Sequence, residues 1–462
     1  MIELPPDRIA AEAGAETVGR PEGDDVGGRP ARAVIDSREA GHRDLFFGLP
    51  GAQVDGGRFA AQALEQGAWG VVVTPERAAE LTRDGSQAGW VLAAPDPLLA
   101  LQSLARGWRR EIGCPLVGIT GSTGKTSAKD ITRALLPARV HASPENFNTE
   151  IGMPLALLAA PPDTEVLVME MAMRGMGQIA ELCEIAEPDV AAITNVGPVH
   201  LELLGTFEAI VEAKAEILKG LSAEGRAVLP ADTEALEPHL GDDLEALTFG
   251  PGGDVFALSH SVSGGRLTAR VATPGGTADF DFPFEEEHNL TNALCAIAIG
   301  VSLGMDPAEM ARRTSRIEFS RLRGERVALT GRILLLNDCY NANPISMRAA
   351  IENLATTVAG RDGDGRAVGV LGGMAELGPD GPGFHAEIGA LARERGISPV
   401  IGVGDLARDY SPDLWAADAD EAIELVASEL HAGDVALVKG SRSVGLERLT
   451  DGLRARIGEE DR

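Results

Sequence analysis

Basic residues are in short supply in this chain. Its 462 residues carry 41 Lys and Arg against 70 Asp and Glu, a formal net charge of -29 at pH 7. Binding a polyanion needs basic surface to displace counterions, so nucleic acid is excluded as a partner. Any anionic ligand must be met by local lysines, arginines and helix ends. Cysteine is scarce too. Cys114, Cys183, Cys295 and Cys339 are widely spaced and form no CxxC pair, which argues against a disulfide framework or a zinc site and suits a reducing cytoplasm. The stretch Met1 to Asp7 lacks the basic and apolar regions of a signal peptide. No run of about 18 apolar residues occurs anywhere. The expectation is a soluble, cytoplasmic protein with no membrane insertion. There is no internal repeat, and no low-complexity tract beyond the acidic tail Glu459-Glu460-Asp461, which reads as solvation.

What is present points first to ATP. Gly118-Ile119-Thr120-Gly121-Ser122-Thr123-Gly124-Lys125-Thr126 reads as a phosphate-cradling loop. An apolar, β-branched run from Pro115 to Thr120 precedes it, and Ala128, Ile131 and Leu135 follow at helical spacing. Strand, loop and helix are the context such a motif requires. Glycines let the backbone turn tightly and aim several N–H groups at one anion, and the helix adds the positive end of its dipole. Lys125 would reach the terminal phosphates, and Thr126 would sit on Mg²⁺. The strict GxxxxGK[ST] pattern wants glycine where Ile119 stands, so the motif here is GxxGKT.

The length calls for about two to four domains. Residues 1 to about 97 mix short strands and helices, and Pro95 to Pro97 breaks the chain before a predicted helix from Leu98 to Arg110. Strands at Val166–Glu170 and Val190–Val196 then alternate with helical stretches, as in a mostly parallel sheet. Between Asp254 and Phe284 the pattern changes to short alternating strands with Gly264-Gly265 and Pro274-Gly275-Gly276, an inserted antiparallel meander. After Arg321 a second βα alternation runs through Ile333–Asn337, Ala367–Leu371, Val400–Val403 and Val435–Val438, an open sheet of Rossmann type without a GxGxxG fingerprint.

Parallel sheets bind ligands at the carboxyl ends of their strands. Glu170 closes an apolar strand there and is a candidate Mg²⁺ ligand; His200 follows the next strand on a loop at the same edge. Lys214 lies inside the stripe Ile210, Ile217, Leu218, Leu221 of a helix from Phe207 to Leu221, whereas Lys219 joins Glu212 and Glu216 on the wet face. Burial favours a neutral amine over an ammonium of pKa about 10.4, and a neutral amine can be carbamylated into a carboxylate-like group. The alternative is a lysine that snorkels its head into water. His288-Asn289-Leu290-Thr291-Asn292 opens an alanine-rich helix; the asparagine amides could read an adenine edge, and capping explains Asn289 equally well. Asp338-Cys339-Tyr340-Asn341-Ala342-Asn343-Pro344 and Lys439-Gly440-Ser441-Arg442-Ser443 both fall at the edge of the last sheet.

In order, TGSTGKTS (120–127), the Glu170 strand end, NVGPVHLELLGT (195–206) with Lys214 beyond, HNLTNALCA (288–296), NDCYNANPISM (337–347), GGMAELG (372–378) and VKGSRS (438–443) resemble the Mur ligases of peptidoglycan synthesis. DSR (36–38), DLFF (44–47) and DGGRF (55–59) extend the likeness into the first domain. The central motifs are shared with folylpolyglutamate synthases, while YNANP with MAELG and KGSRS resembles the D-alanyl-D-alanine-adding branch; a DNPR-type motif is absent.

The resemblance implies an α/β protein of three domains. These are a substrate domain for the UDP end (1–97), a central P-loop ATPase with a small antiparallel insertion (98–321) and a Rossmann-like C-terminal domain (322–462). It implies that Ser37 and Arg38 meet the uridine part, and that Gly121, Ser122, Thr123, Gly124, Lys125, Thr126 and Ser127 hold phosphates. Thr126, Glu170, His200 and carbamylated Lys214 would serve Mg²⁺, and Asn289, Asn292, Asp338 and Tyr340 would face the nucleotide. Asn341, Asn343, Lys439 and Ser441 would lie near nucleotide or dipeptide. Arg323 is favoured over Arg321 and Arg326 as the arginine that reaches the γ-phosphate. Departures from the family pattern are Glu286-Glu287 in place of a glycine-basic pair, Asn337 and Cys339 in place of acidic and serine residues, and Gly373 in place of aspartate.

The implied activity is ATP-dependent joining of D-alanyl-D-alanine to a UDP-linked muramoyl tripeptide, by a monomer. Another amide ligase of the superfamily and a non-enzymatic nucleotide-binding regulator stay open as alternatives.

Overall fold

Among the described residues, short aliphatic runs form four sheets, with helices packed against them, in a computed structural model. It describes residues 2, 4–21, 28–51, 54–83, 88–144, 146–222, 224–241, 244–361 and 363–459. Met1 and Glu3 of the first stretch, and Glu460 and Asp461 of the acidic tail, lie outside the described residues.

The central sheet is all parallel, in the order Glu245–Phe249, Arg226–Pro230, Val190–Ile193, Leu116–Thr120, Val166–Glu170, Val140–Ala142. Its middle strands are buried on both faces, which is why they read as unbroken apolar runs. Alternation divides them between two cores. Leu116, Leu167, Met169 and Ile193 point into one, and Val117, Ile119, Val168 and Val190 into the other. The antiparallel insertion is a three-stranded sheet, Phe256–Ser263, Arg266–Thr273 and Gly276–Phe282; Leu267, Val271, Phe280 and Phe282 extend the second core.

The first sheet runs Glu16–Gly19, Trp90–Ala93, Gly70–Val73, Asp44–Phe47, Arg32–Val34, antiparallel only in its first pair. The predicted helix after it spans Pro97–Ile112. Asp96 caps it by accepting from the N–H groups of Leu98 and Leu99, and Gly113 at φ 68° ends it. Its buried face, Leu101, Leu104, Ala105 and Trp108, joins Leu45, Phe47 and Val72 of the first sheet and Met153, Leu157 and Leu182 of the central unit in one apolar cluster. The first two units therefore share a core.

The last sheet has the order Glu325–Leu329, Ile333–Asn337, Val435–Lys439, Ala367–Gly372, Val400–Val403, Leu414–Ala416, parallel except for its first pair. Glu325–Leu329 and Leu414–Ala416 are absent from the sequence reading. One begins with charged Glu325 and Arg326, and the other is three residues long, too short to show a period. The carboxyl ends of the central and last sheets face each other.

Candidate active site

Between those sheet ends lies a cavity of about 790 Å³ whose walls come from both units. On the central side, Gly124 caps the helix Lys125–Leu135 with φ 76°, and a Cβ there would meet Asn292 Oδ1 at 2.2 Å. Gly121, at φ 149°, would drive a Cβ to 1.9 Å from Thr194 Oγ1. Only glycine fits either place. The loop is clamped from the next strand end. Thr123 N–H donates to Asn195 Oδ1 at 2.9 Å, Asn195 Nδ2 donates to Thr123 Oγ1 at 2.7 Å, and Ser122 Oγ donates to Gly197 O at 3.0 Å. Lys125 Nζ donates to Gly121 O at 2.8 Å. Burial pulls Lys125 below its ordinary pKa against the attraction of Glu170, and Arg323 adds to the lowering.

Thr126 and Glu170 are in direct contact. The hydroxyl donates to Glu170 Oε2 at 2.6 Å, and Asn148 Nδ2 donates to Oε1 at 2.8 Å. Glu170 N–H donates to Ser143 Oγ. No cluster of three His, Cys, Asp or Glu groups able to hold a metal occurs among the described residues. A hydroxyl beside a carboxylate suits a hard cation that takes its remaining oxygens from phosphate and water.

His200 stands at the same edge with φ 56°, its Nδ1 2.5 Å from Glu376 Oε2 of the last unit. Burial lowers its pKa despite that carboxylate, so a neutral imidazole is favoured. Lys214 is 2% exposed on the helix Phe207–Lys219, and no hydrogen bond or ion pair involves its Nζ among the described residues. Burial, and then the charge of Lys125, put its pKa well below 10.5. Snorkelling is therefore not what Lys214 does. Glu216, read as solvated, is instead buried: its carboxylate accepts from Gly177 and Ala180 N–H at 2.6 and 3.1 Å and caps the neighbouring helix Gln178–Ala186. An acidic residue on a helix face is drawn inward when a second helix presents free N–H groups to it.

Asn289 and Asn292 are buried, and Asn292 Nδ2 donates to Asn289 Oδ1 at 3.1 Å. The helix begins earlier than expected, at Glu287, with Glu286 at the cap position. Asn289 therefore does not cap it, and its amide lines the cavity with His288.

The opposite wall carries Arg323, Asp338, Tyr340, Asn341, Asn343 and Lys439. The Arg323 guanidinium lies 4.1 Å over the Tyr340 ring. Arg326 is engaged elsewhere, 2.6 Å from Glu285 and 3.6 Å from Glu286, and Arg321 is exposed. Lys439 Nζ donates to Asp338 Oδ2 at 2.5 Å and to Asn341 O at 3.0 Å. Asn343 forms a capping box with Ser346 for the helix Pro344–Ala359. Ser441 does not line the cavity. Buried, it accepts from Ala375 N–H at 2.9 Å and steadies the loop that carries Glu376. Ser37 and Arg38 are also outside it: Ser37 is buried in the first unit, and Arg38 forks onto Asp36, holding that carboxyl at about 2. Asn148, Asn195 and Glu376 hold the site together and were not singled out in the sequence. Asn195 and Glu376 lie inside quoted motifs; Asn148 has no local signal.

A phosphate-cradling loop set beside a carboxylate and closed by a second α/β unit defines an ATP-dependent ligase architecture, and comparison with known proteins gives the family. The Mur ligase middle domain matches residues 119–300, the Mur ligase glutamate ligase domain 322–442, and the Mur ligase family catalytic domain 33–106. The chain is 33% identical to the UDP-N-acetylmuramoyl-tripeptide--D-alanyl-D-alanine ligase of Bacillus subtilis, over 91% of this chain and 92% of that one. It is 36% identical to the ligase of that name from Synechocystis, over 91% of each. Among solved structures, MurF from Acinetobacter baumannii superposes with a TM-score of 0.85 at 26% identity, covering 98% of this chain and all of that one. MurF of Thermotoga maritima in complex with ADP gives 0.80 at 29% identity, over 94% and 99%. The chain belongs to the Mur ligase family, as its motifs implied, with the three-domain α/β fold of that family.

Proposed function

We propose that this chain is an ADP-forming ligase that joins D-alanyl-D-alanine to UDP-N-acetylmuramoyl-tripeptide in peptidoglycan precursor synthesis. The observation that carries the reading is the single cavity in which the phosphate loop and Glu170 face Arg323 and Tyr340 across the domain interface. The relatives named for this reaction support the choice of substrates.

The tripeptide carboxylate is a poor acylating agent. Transfer of the γ-phosphoryl of ATP makes it an acyl phosphate, which the dipeptide amine attacks with release of phosphate. Lys125 and the N–H groups of the loop take up charge on the transferring oxygens, and Arg323 takes up charge from the other wall. Thr126, Glu170, His200 and a carbamate on Lys214 would hold Mg²⁺, which supplies charge neutralisation when bound. A neutral Nζ without a partner among the described residues is the form of lysine that adds carbon dioxide, and this supports the carbamate.

In this reading Asn289 and Asn292 face adenine, while Asn341, Asn343, Lys439 and Ser441 lie near nucleotide or dipeptide. Ser37 and Arg38 meet the uridine end. The units run 1–97, 98–321 and 322–462, and the enzyme works as a cytoplasmic monomer; no helix among the described residues is long and apolar enough to cross a membrane.

ADP release measured with a substrate panel tests this. It should require both UDP-tripeptide and D-alanyl-D-alanine; turnover without the dipeptide, or with glutamate in its place, overturns the assignment.

A further inference from the structure

The chain passes from the central unit to the last one within three residues. On the near side Ile317 is buried in the central core, and Phe319 packs against it, 5.8 Å from the Phe284 ring. Ser320 is then tied twice: its N–H and its hydroxyl both donate to Asp130 Oδ2, each at 2.8 Å. On the far side Leu322 packs against the core of the last sheet, and its carbonyl accepts from Tyr340 N–H at 3.3 Å. Only exposed Arg321 stands between them. Leu322 and Gly324, which flank Arg323, have φ of 64° and 67°. A leucine adopts that conformation only where its surroundings impose it.

Asp130 is 4% exposed. It sits on the helix Lys125–Leu135, five residues beyond Lys125, about 7.5 Å along the axis. Buried Lys129 lies 3.5 Å from its other oxygen and donates Nζ to Ser143 O, and Ser143 Oγ accepts from Glu170 N–H. The helix that presents its N-terminus to the phosphate loop thus also grips the last residue before the crossing.

We propose that Asp130 is a positioning residue: by holding Ser320 it fixes the central end of a one-residue hinge at Arg321, so that closure of the last unit brings Arg323 to the phosphate held by the Lys125 loop. Pivot and phosphate then belong to one rigid body. Arg323 is two residues past the pivot, so its backbone stays within about 7 Å of it throughout the swing. The proposal rests on the ligase reading for the group that Arg323 meets.

The experiment combines hydrogen exchange, ADP affinity and turnover on the full chain carrying Asp130→Ala, Asp130→Asn and Ser320→Ala. In Asp130→Ala, exchange in the segment 317–324 should speed about tenfold, with the phosphate-loop segment unchanged. Turnover should fall about tenfold with ADP affinity held within about twofold. Asp130→Asn keeps an acceptor for Ser320 and should restore most of the loss. Ser320→Ala removes one bond and leaves Lys129 its partner, so it should show a smaller change of the same kind, even if Asp130→Ala fails to fold. Unchanged exchange at 317–324 in Ser320→Ala and whichever Asp130 variants fold overturns the proposal, as does an equal rise at the phosphate loop with loss of ADP binding. If the wild-type chain releases no ADP with these substrates, the ligase reading fails while the exchange measurements still decide the hinge.

Discussion

The central and last sheets both end in polar loops at one cavity, yet they use those groups differently. In the central loop, Asn195 and Thr194 hold the Thr123 backbone and Gly197 holds the Ser122 hydroxyl, while Lys125 Nζ has one carbonyl partner and Lys214 none among the described residues. At the edge of the last sheet the polar side chains are bonded within that edge, mostly to its backbone: Lys439 to the Asp338 carboxylate and the Asn341 carbonyl, Asn343 to Ser346 N–H, Ser441 to Ala375 N–H and the Ala342 carbonyl. One edge keeps its charges uncompensated and costly; the other holds its own shape and offers Arg323 and Tyr340. Polar groups crowded at a sheet end therefore measure order as much as ligand contact.

The sharpest way to break this comparison is at Lys214. Lys214→Ala should cut turnover about a thousandfold, with partial rescue by a short carboxylic acid in the ADP-release assay; near-normal turnover without rescue eliminates the carbamate. Stability moves the other way. The folded chain favours neutral Lys214 while the unfolded chain binds its proton below 10.5, so folding loses stability as pH falls from there toward the lowered value. Lys214→Met should therefore raise the melting temperature in buffer free of carbon dioxide, and by more at lower pH. A melting temperature that drops would show the ammonium to be paired.

A smaller effect is expected at Gly124. Alanine there meets Asn292 Oδ1 and a positive φ together, so calorimetric ADP affinity should fall about tenfold to a hundredfold. Retained affinity would mean that the loop shifts freely and that its clamp is not rigid.

The smallest effect tests the other edge. Asn343→Ala removes one half of the capping box, so stability to urea should fall by about 1 kcal/mol with ADP affinity unchanged. A loss of turnover far beyond that would make Asn343 a substrate contact and overturn the contrast drawn above.

Much of this was legible beforehand, for identifiable reasons. Val166–Glu170 and Leu116–Thr120 are unbroken apolar runs because both faces are buried, and a phosphate loop must announce itself through glycines that no other residue can replace. Lys214 was legible because it interrupts a stripe. Glu216 was not, since its burial depends on the free N–H groups of a helix that begins at Gln178. Asn148 was invisible for the same reason: its role exists only where its loop approaches Glu170.

By itself the order of residues determined local states: that the long apolar runs become strands, that the phosphate loop opens a helix, and that Lys214 falls on an apolar stripe, because period and side-chain size act over a few neighbours. The pairing of His200 with Glu376, the grip of Asp130 on Ser320 and the ion pair of Arg326 with Glu285 were decided only by tertiary structure. These join residues far apart in the chain, and whether such groups meet depends on how separate cores pack, which no local pattern encodes.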